Sequence, residues 1–217
     1  MRSVTETLTT HYDACLSRHG PTPEGMDWGP DATRLTERFD TIVRAAGLGP
    51  RSTCHVLDVG CGCGLLLDHL NERGIRDVTY TGVDASAAMI DAAGLRHPNA
   101  DWRRQDILDP AAEPTADWVV ANGLLTERRD VDEETMEEFA RDALARMYLR
   151  CRTGIVFNAL STHVNYREPH LFYWDPGVVI AFATKTLSRH VAILHDQRGY
   201  DYFCRVTRRP WGDRGDG

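Results

Sequence analysis

The 217-residue sequence lacks several features that would point to particular partners or locations. It has no excess of basic residues, because its formal net charge is −7 at pH 7, and nucleic-acid binding needs a basic face. No apolar run is long enough to span a membrane. Residues 1–19 are polar and charged, unlike a secretory signal peptide. We therefore expect a cytoplasmic protein that acts on neither nucleic acid nor a membrane.

The cysteines also lack the spacing that is typical of a metal site. There are six, of which Cys61 and Cys63 form a C-x-C pair. The remaining four are scattered along the chain: Cys15, Cys54, Cys151 and Cys204. We expect reduced thiols, with neither zinc nor disulfides. Internal repeats are absent, and a hydrophobic content of 42% is enough for one globular domain with a sizeable core.

The most informative stretch runs from His55 to Leu67. A short apolar run ends at the acid Asp58, and glycines follow at every second position, Gly60, Gly62 and Gly64, before a second apolar run. This order predicts a strand, a tight turn and a helix start. Glycine has no Cβ, so the chain can turn sharply and a ligand can approach the backbone. Free N–H groups of the new helix face the same space, which predicts a loop for a nucleotide-like cofactor.

Two cofactor classes use such a loop. Dinucleotide enzymes have G-x-G-x-x-G, but here the position of the third glycine is Leu65. The run from Asp58 to Gly64, DVGCGCG, instead resembles the first motif of class I S-adenosylmethionine-dependent methyltransferases, (D/E)-x-G-x-G-x-G. The resemblance implies a Rossmann-like fold and S-adenosyl-L-methionine as cofactor.

Strands and helices alternate after residue 54. Strands are predicted over about 55–60, 78–83, 101–105, 117–121, 154–160, 190–195 and 201–207, and helices over about 3–18, 64–73, 86–96, 132–150 and 176–187. The connection 196–200 is too short for a crossover helix, so the last two strands must run antiparallel or bridge over one another. The pattern predicts an α/β fold, with a seven-stranded, mostly parallel sheet and helices on both faces. The methyltransferase resemblance implies the same sheet with an antiparallel last strand.

Three regions are expected along the chain. Residues 1–50 would hold N-terminal helices and a lid, 51–209 the cofactor-binding core, and 210–217 a flexible tail. Within the first region, the Pro- and Gly-rich loop 19–30 is predicted to lack regular structure and to act as the lid. Asp31 is predicted to cap the helix that follows.

The carboxyl ends of parallel strands meet at one edge of a sheet, where ligands bind. Asp84 ends the second predicted strand, where its carboxylate can accept both ribose hydroxyls. The resemblance implies that Asp58 fixes the methionine end, that Asp106 and Ile107 contact the adenine, and that Asn122 and Gly123 pass under the methionine part. The predicted cofactor-binding residues are Tyr12, Asp58, Gly60, Cys61, Gly62, Asp84, Ala85, Asp106, Ile107, Asn122 and Gly123.

A wider likeness extends to a subgroup of small bacterial methyltransferases. It rests on Tyr12-Asp13, a lid-like His19–Gly29, Phe157-Asn158, Tyr173–Pro176 and His195-Asp196. This resemblance implies a cytoplasmic enzyme that acts on a small molecule.

Polar and aromatic residues outside the cofactor motifs are candidates for the chemistry. The predicted catalytic residues follow the fifth strand, where a base could take a proton from the acceptor: His163, Tyr166 and His170. The predicted substrate-binding residues are Trp28, Arg38, Asn158, Tyr173 and His195. Aromatic walls from Tyr12, Trp28, Tyr173 and Trp174 would favour a sulfonium cation. Ordinary packing is the alternative for these aromatic residues, and a solvated helix side is the alternative for Arg38.

The predicted function is transfer of a methyl group from S-adenosylmethionine to an oxygen or nitrogen of a small molecule, such as a sugar, a carboxylate or a secondary-metabolite intermediate. The segment Asn122–Leu125, NGLL, differs from the Asn/Asp-Pro-Pro-Tyr/Phe motif of enzymes that methylate amino groups in nucleic acids and proteins. A nicotinamide-dependent oxidoreductase and a non-catalytic cofactor-binding module or partner subunit are the alternatives. The oligomeric state stays open, with a homodimer as one option.

Overall fold

The computed structural model describes residues 3–29, 32–110, 116–196 and 198–212. The helices are Val4–His19 (α1), Ala32–Ala46 (α2), Leu65–Glu72 (α3), Ala87–Arg96 (α4), Glu133–Arg150 (α5) and Pro176–Thr186 (α6). The strands are His55–Val59 (β1), Thr79–Asp84 (β2), Asp101–Arg104 (β3), Ala116–Ala121 (β4), Cys151–Leu160 (β5), His190–Leu194 (β6) and Asp201–Thr207 (β7).

The seven strands form one sheet in the order β3-β2-β1-β4-β5-β7-β6. Strands β1 to β5 pair in parallel, whereas β7 is antiparallel to both β5 and β6. Strand β1 lies between β2 and β4, so the Gly-rich loop after it opens near the middle of the carboxyl edge. The predicted fold class and the antiparallel closing pair are confirmed.

Both faces of the sheet are buried, because successive side chains of a strand point to opposite faces. In β4, Val119 and Ala121 enter the core on one side of the sheet, while Trp118 and Val120 enter the core on the other. The first core also contains buried side chains of α5, and the second contains those of α2 and α3. This two-sided burial explains why β4 reads as a continuous apolar run.

Acidic and hydroxyl side chains set the starts of several helices. Ser3 caps α1 in a reciprocal pair with Glu6, Asp132 caps α5, and Asp175 accepts hydrogen bonds from two backbone N–H groups at the start of α6. Such caps satisfy N–H groups that have no partner within the helix. Among the described residues, no helix is both long enough and apolar enough to cross a bilayer.

The structure differs from the sequence predictions at a few places. The loop 19–30 contains one 3₁₀ turn, Glu24–Met26, so the prediction that it lacks regular structure is wrong there. Strand β5 begins at Cys151, because its first residue already pairs with Ala116. The predicted cap Asp31 and tail residues 213–217 lie outside the described residues. Within the tail, the Trp211 ring packs under the Arg205 guanidinium, 3.7 Å from the ring centre.

Candidate functional site

One cleft lies at the carboxyl edge of the sheet, beside β1, β2 and β4. Its volume is about 990 Å³ when the space open to solvent is included. All eleven predicted cofactor-binding residues line it. The parallel strands bring these residues together, since each strand ends at the same edge.

The Gly-rich loop and Asp84 hold each other in place. The N–H groups of Gly60 and Cys61 donate to the carbonyl of Val83, at 2.9 and 3.1 Å. The N–H of Gly62 donates to Oδ2 of Asp84 at 3.0 Å, and the N–H of Ser86 donates to Oδ1 at 2.9 Å. Burial nevertheless raises the pKa of the Asp84 carboxyl. The carboxylate is therefore fixed in the cleft, with lone pairs left for hydroxyl donors.

Asp58 is the penultimate residue of β1, two residues before Gly60, and is 4% exposed. The hydroxyl of Tyr80 donates to its Oδ2 at 2.5 Å. Burial raises the pKa of Asp58 to about 7, against the opposing effect of the Tyr80 hydrogen bond, and the nearby charge of Asp84 raises it further. A cation bound in the cleft would favour ionised Asp58.

Asp58 predicts how stability depends on pH. Its folded pKa is about 7, above the unfolded value of about 3.9. The folded chain therefore binds more protons between these values, and the unfolding free energy falls as pH rises from about 4 to 7. Chemical denaturation should show a smaller fall between about pH 5 and 7 for Asp58→Asn than for the unaltered protein. Equal falls would contradict the raised pKa.

The far side of the cleft is formed by the ends of β3 and β4. Asp106 binds its own turn, because its Oδ1 accepts the N–H of Leu108 at 2.9 Å. Ile107 is buried beside it. Asn122 follows β4, and its buried Oδ1 has no hydrogen-bond partner in the part of the chain that the structure describes. A buried acceptor of this kind favours a ligand that brings a donor, such as an amino group.

Two residues of the 19–30 loop cover the glycines. A methyl group at Gly62 would lie 2.6 Å from Sδ of Met26, and one at Gly123 would lie 2.5 Å from the Trp28 ring. Both glycines have positive φ, +52° and +89°, which other residues adopt at a cost. Met26 and Trp28 thus pack directly against the Gly-rich loop and the segment after β4.

Arg38 packs against the ring of Trp28. Its guanidinium lies 4.5 Å from the Trp28 ring centre, and its Nε donates to Oδ2 of Asp201 at 2.8 Å. The Asn158 amide donates to the same oxygen at 3.4 Å, and its Oδ1 accepts the N–H of Gly123 at 2.7 Å. The predicted substrate residues Trp28, Arg38 and Asn158 therefore meet in one network at the cleft.

Tyr12 of α1 faces the cleft from the opposite side. Its pKa is raised above the ordinary range by burial first, and then by the negative charges of Glu127, Asp27 and Asp84. Asp27 itself pairs with His11, whose Nε2 is 2.7 Å from Oδ2 of the carboxylate. The negative charges that act on Tyr12 thus come both from Asp84 at the end of β2 and from Asp27 of the 19–30 loop.

Glu127 is the functional candidate that the sequence predictions missed. It follows β4 by six residues and is 7% exposed. Its Oε2 accepts a hydrogen bond from Nη1 of Arg129 at 3.2 Å. Burial raises its pKa to about 7, with the Arg129 hydrogen bond opposing the rise and the charge of Asp27 adding to it. Its one signal in the sequence was an acid placed two residues after the apolar pair 124–125.

The three predicted bases do not line the cleft. The side chain of His163 is 72% exposed and lies 3.8 Å from Oδ2 of Asp175. Tyr166 is 68% exposed. His170 uses its backbone carbonyl to accept N–H groups of the segment after β4. Their assignment as bases stays a prediction without support from this arrangement.

The remaining predicted aromatic and substrate residues also lie elsewhere. The Tyr173 hydroxyl accepts the N–H of Glu168 at 2.9 Å, within the connection after β5. Trp174 is buried in the core beside Phe172. His195 is exposed, with its ring centre 5.8 Å from that of Tyr202. Of the four predicted aromatic walls, Tyr12 and Trp28 line the cleft, and Tyr173 and Trp174 do not.

Comparison with known proteins gives consistent results. Residues 56–145 match a family described as "Methyltransferase domain". The chain is also similar to Rv1506c of Mycobacterium tuberculosis (strain ATCC 25618 / H37Rv), which is provisionally named a methyltransferase. The two are 33% identical over 157 residues, which is 70% of this chain and 91% of that protein.

Solved structures share the fold at low identity. A DhpI-SAM-HEP complex matches with a TM-score of 0.66 and 18% identity, over 96% of this chain and 99% of that one. Magnesium protoporphyrin IX methyltransferase (ChlM) from Synechocystis PCC 6803 with bound SAH matches with a TM-score of 0.65 and 13% identity, over 95% of this chain and 98% of that one. N-methyltransferase NodS from Bradyrhizobium japonicum WM9, in complex with S-adenosyl-L-homocysteine, matches with a TM-score of 0.64 and 18% identity, over 92% of this chain and 97% of that one.

Proposed function

Since the chain belongs to the class I S-adenosylmethionine-dependent methyltransferases, we propose that it transfers the cofactor's methyl group to an oxygen or nitrogen of a small-molecule acceptor in the cytoplasm. The observation that carries the proposal is the convergence of the cofactor motifs on one cleft. The loop after β1, Asp84 at the end of β2, Asp106 after β3 and Asn122 after β4 all line it.

The residues present fit the cofactor. The carboxylate of Asp84, held by two backbone N–H groups, would accept the ribose hydroxyls. The buried Oδ1 of Asn122, which has no hydrogen-bond partner among the described residues, would accept an N–H of the methionine part. Gly60 has φ +69°, and its missing side chain leaves room for the ligand to approach the backbone.

When bound, S-adenosylmethionine supplies a methyl group that is activated by the adjoining sulfonium. The chain's own contribution is alignment and exclusion of water. Trp28 and Met26 cover the methionine side of the cleft. Tyr12, from α1, presents an aromatic ring to the same space, which favours a cation. Arg38 and Asp201 hold Trp28 in this position.

Calorimetric titration tests the proposal. We expect S-adenosylmethionine and S-adenosylhomocysteine to bind in the micromolar range, and NAD not to bind. Asp84→Ala removes the ribose acceptor and one anchor of Gly62, so both affinities should fall at least about 100-fold, or about 2.7 kcal/mol. Asp91→Ala, an exposed acid of the neighbouring helix α4, is the matched control and should bind normally.

Each other result has a distinct meaning. Binding of NAD alone would contradict the proposal and favour an oxidoreductase. Equal losses for Asp84→Ala and Asp91→Ala would contradict the role given to Asp84. Binding of the adenosyl compounds without methyl transfer to any small molecule would support a non-catalytic cofactor-binding module instead.

A further inference from the structure

Three side chains of types that bind metal ions meet where α1 faces the 19–30 loop. They are His11 and Cys15 of α1 and Asp27 of the loop, and their donor atoms all lie within 4.8 Å of one another. His11 and Cys15 are four residues apart, so they lie on the same face of the helix. Within the described parts of the chain, no other group of three such side chains converges in this way.

The three donor atoms have nearly the spacing of ligands around one ion. Nε2 of His11 lies 3.8 Å from Sγ of Cys15 and 2.7 Å from Oδ2 of Asp27. Zinc bonds of about 2.0–2.3 Å place tetrahedral ligands about 3.3–3.6 Å apart. The imidazole and the thiol are within a few tenths of an ångström of this separation, and the carboxylate needs to move by less than about 1 Å. The Asp27 side chain is 39% exposed, so it has room for that movement.

One hydrogen bond satisfies only part of this arrangement. Nε2 of His11 faces both the Cys15 thiol and the Asp27 carboxylate, but a ring nitrogen either donates one hydrogen or accepts one. If Nε2 donates to Asp27, it has no lone pair to offer the buried thiol. If it accepts from the thiol, its lone pair faces a negative carboxylate. A cation at this point would interact favourably with all three donor atoms.

The two segments that carry the ligands are held against each other. The N–H of Asp27 donates to the carbonyl of Glu24 at 3.0 Å, which closes the turn that presents the carboxylate. A methyl group at Gly25 would lie 3.7 Å from Cα of Leu16, so the loop packs on α1 one turn beyond the ligands. Because the ligands are already positioned, little ordering would oppose binding.

The donor set favours one class of cation. Thiolate, imidazole and carboxylate together suit zinc and similar divalent transition metals, whereas magnesium and calcium prefer oxygen ligands alone. Three protein ligands leave a further position for water.

We propose that His11, Cys15 and Asp27 bind a divalent transition-metal cation of the zinc class, and that the ion fastens the 19–30 loop to α1. On binding, the S–H bond of Cys15 breaks, the sulfur donates its electron pair to the metal, and the proton passes to solvent. Cysteine spacing cannot reveal this site, because one cysteine combines with a histidine and with an acid from a separate segment. The proposal therefore replaces the expectation, drawn from that spacing, that zinc is absent.

The fastened loop borders the cofactor cleft. Tyr12, which follows His11, lines the cleft, and so do Met26 and Trp28 on either side of Asp27. The His11 and Tyr12 ring centres are 5.1 Å apart. An ion that fixes this arrangement would also fix part of the cleft wall, so binding of the ion and of the cofactor should be coupled.

Cobalt absorption tests the site directly in the metal-free full chain. Co²⁺ is the probe, because a thiolate ligand adds a charge-transfer band in the near ultraviolet. We expect one Co²⁺ per chain with this band. Zn²⁺ should displace it with a dissociation constant in the micromolar range or below, and Mg²⁺ should not displace it.

Substitutions assign the ligands. Cys15→Ser should remove the charge-transfer band, and His11→Gln and Asp27→Asn should each weaken Zn²⁺ at least about tenfold. Asp27 has a φ of +59°, which asparagine also adopts readily, so this variant tests the ligand and not the turn. Cys54→Ser, at a half-buried cysteine, and His163→Gln, in an exposed histidine–carboxylate pair, are the matched controls. Both should leave metal binding unchanged.

The second test measures S-adenosylhomocysteine affinity with and without Zn²⁺, and it rests on the proposed cofactor binding. Zn²⁺ should strengthen this affinity at least about fivefold in the unaltered protein but not in Asp27→Asn. A cobalt spectrum without the thiolate band, or a band that survives Cys15→Ser, would overturn the metal site. An affinity that Zn²⁺ leaves unchanged would overturn the role of the ion in fastening the loop. Failure of S-adenosylhomocysteine to bind under either condition would instead contradict the proposed function.

Discussion

Replacing Gly82 with valine should destabilise the protein by at least about 3 kcal/mol. Gly82 lies in β2 opposite Trp102 of β3. A methyl group at Gly82 would overlap the Trp102 ring and lie 2.9 Å from Sγ of Cys61. The ring cannot move freely, because its Nε1 donates to the carbonyl of His97 at 2.9 Å and it packs edge-on against Tyr80. Thermal or chemical denaturation measures the loss.

The effect should also reach the cofactor site. The Trp102 ring lies 2.9 Å from where a methyl group on Gly64 would be. The ring therefore packs against the Gly-rich loop. Gly94→Ala is the control, and its expected effect on stability has the opposite sign. Gly94 lies inside α4 with nothing within 4 Å of an added methyl group, so alanine should stabilise the protein by about 0.5–1 kcal/mol. If Gly82→Val were as stable as the unaltered protein, the Trp102 ring would have moved aside at no cost, and the prediction would be wrong.

Asp201→Ala is expected to cost about 3–5 kcal/mol of unfolding free energy, because it leaves a mostly buried guanidinium without its partner. The side chains of Arg38 and Asp201 are only 16% and 3% exposed. The substitution also removes an acceptor from the Asn158 amide, which positions the Gly123 N–H. Cofactor affinity should therefore fall together with stability.

Two further variants make the expectation specific. Arg38→Met added to Asp201→Ala removes the stranded charge, so the double variant should be more stable than Asp201→Ala alone. Asp196→Ala breaks an exposed pair with Arg44, where the side chains are 65% and 58% exposed, and should cost less than about 1 kcal/mol. Equal costs for Asp201→Ala and Asp196→Ala would contradict the structural role of the buried pair.

The sequence determined the sheet and the cofactor side of the cleft. Strands such as Ala116–Ala121 are short apolar runs bounded by turn residues, and local periodicity is sufficient to identify them. Once the strands are parallel, the residues after them must meet at one edge. For this reason Asp84, Asp106 and Asn122 could be placed together without any tertiary information.

Only the tertiary structure decided which side chains complete the site. His163, Tyr166 and His170 follow a strand end, yet their segment pairs with residues 126–129 and leaves them outside the cleft. Glu127 gave almost no signal in the sequence, because its burial depends on Leu171 and on Arg129 in a positive-φ conformation. Contacts such as Arg38 with Asp201 and Gly123 with Asn158 join residues far apart in the chain, and their geometry depends on packing that no local pattern specifies.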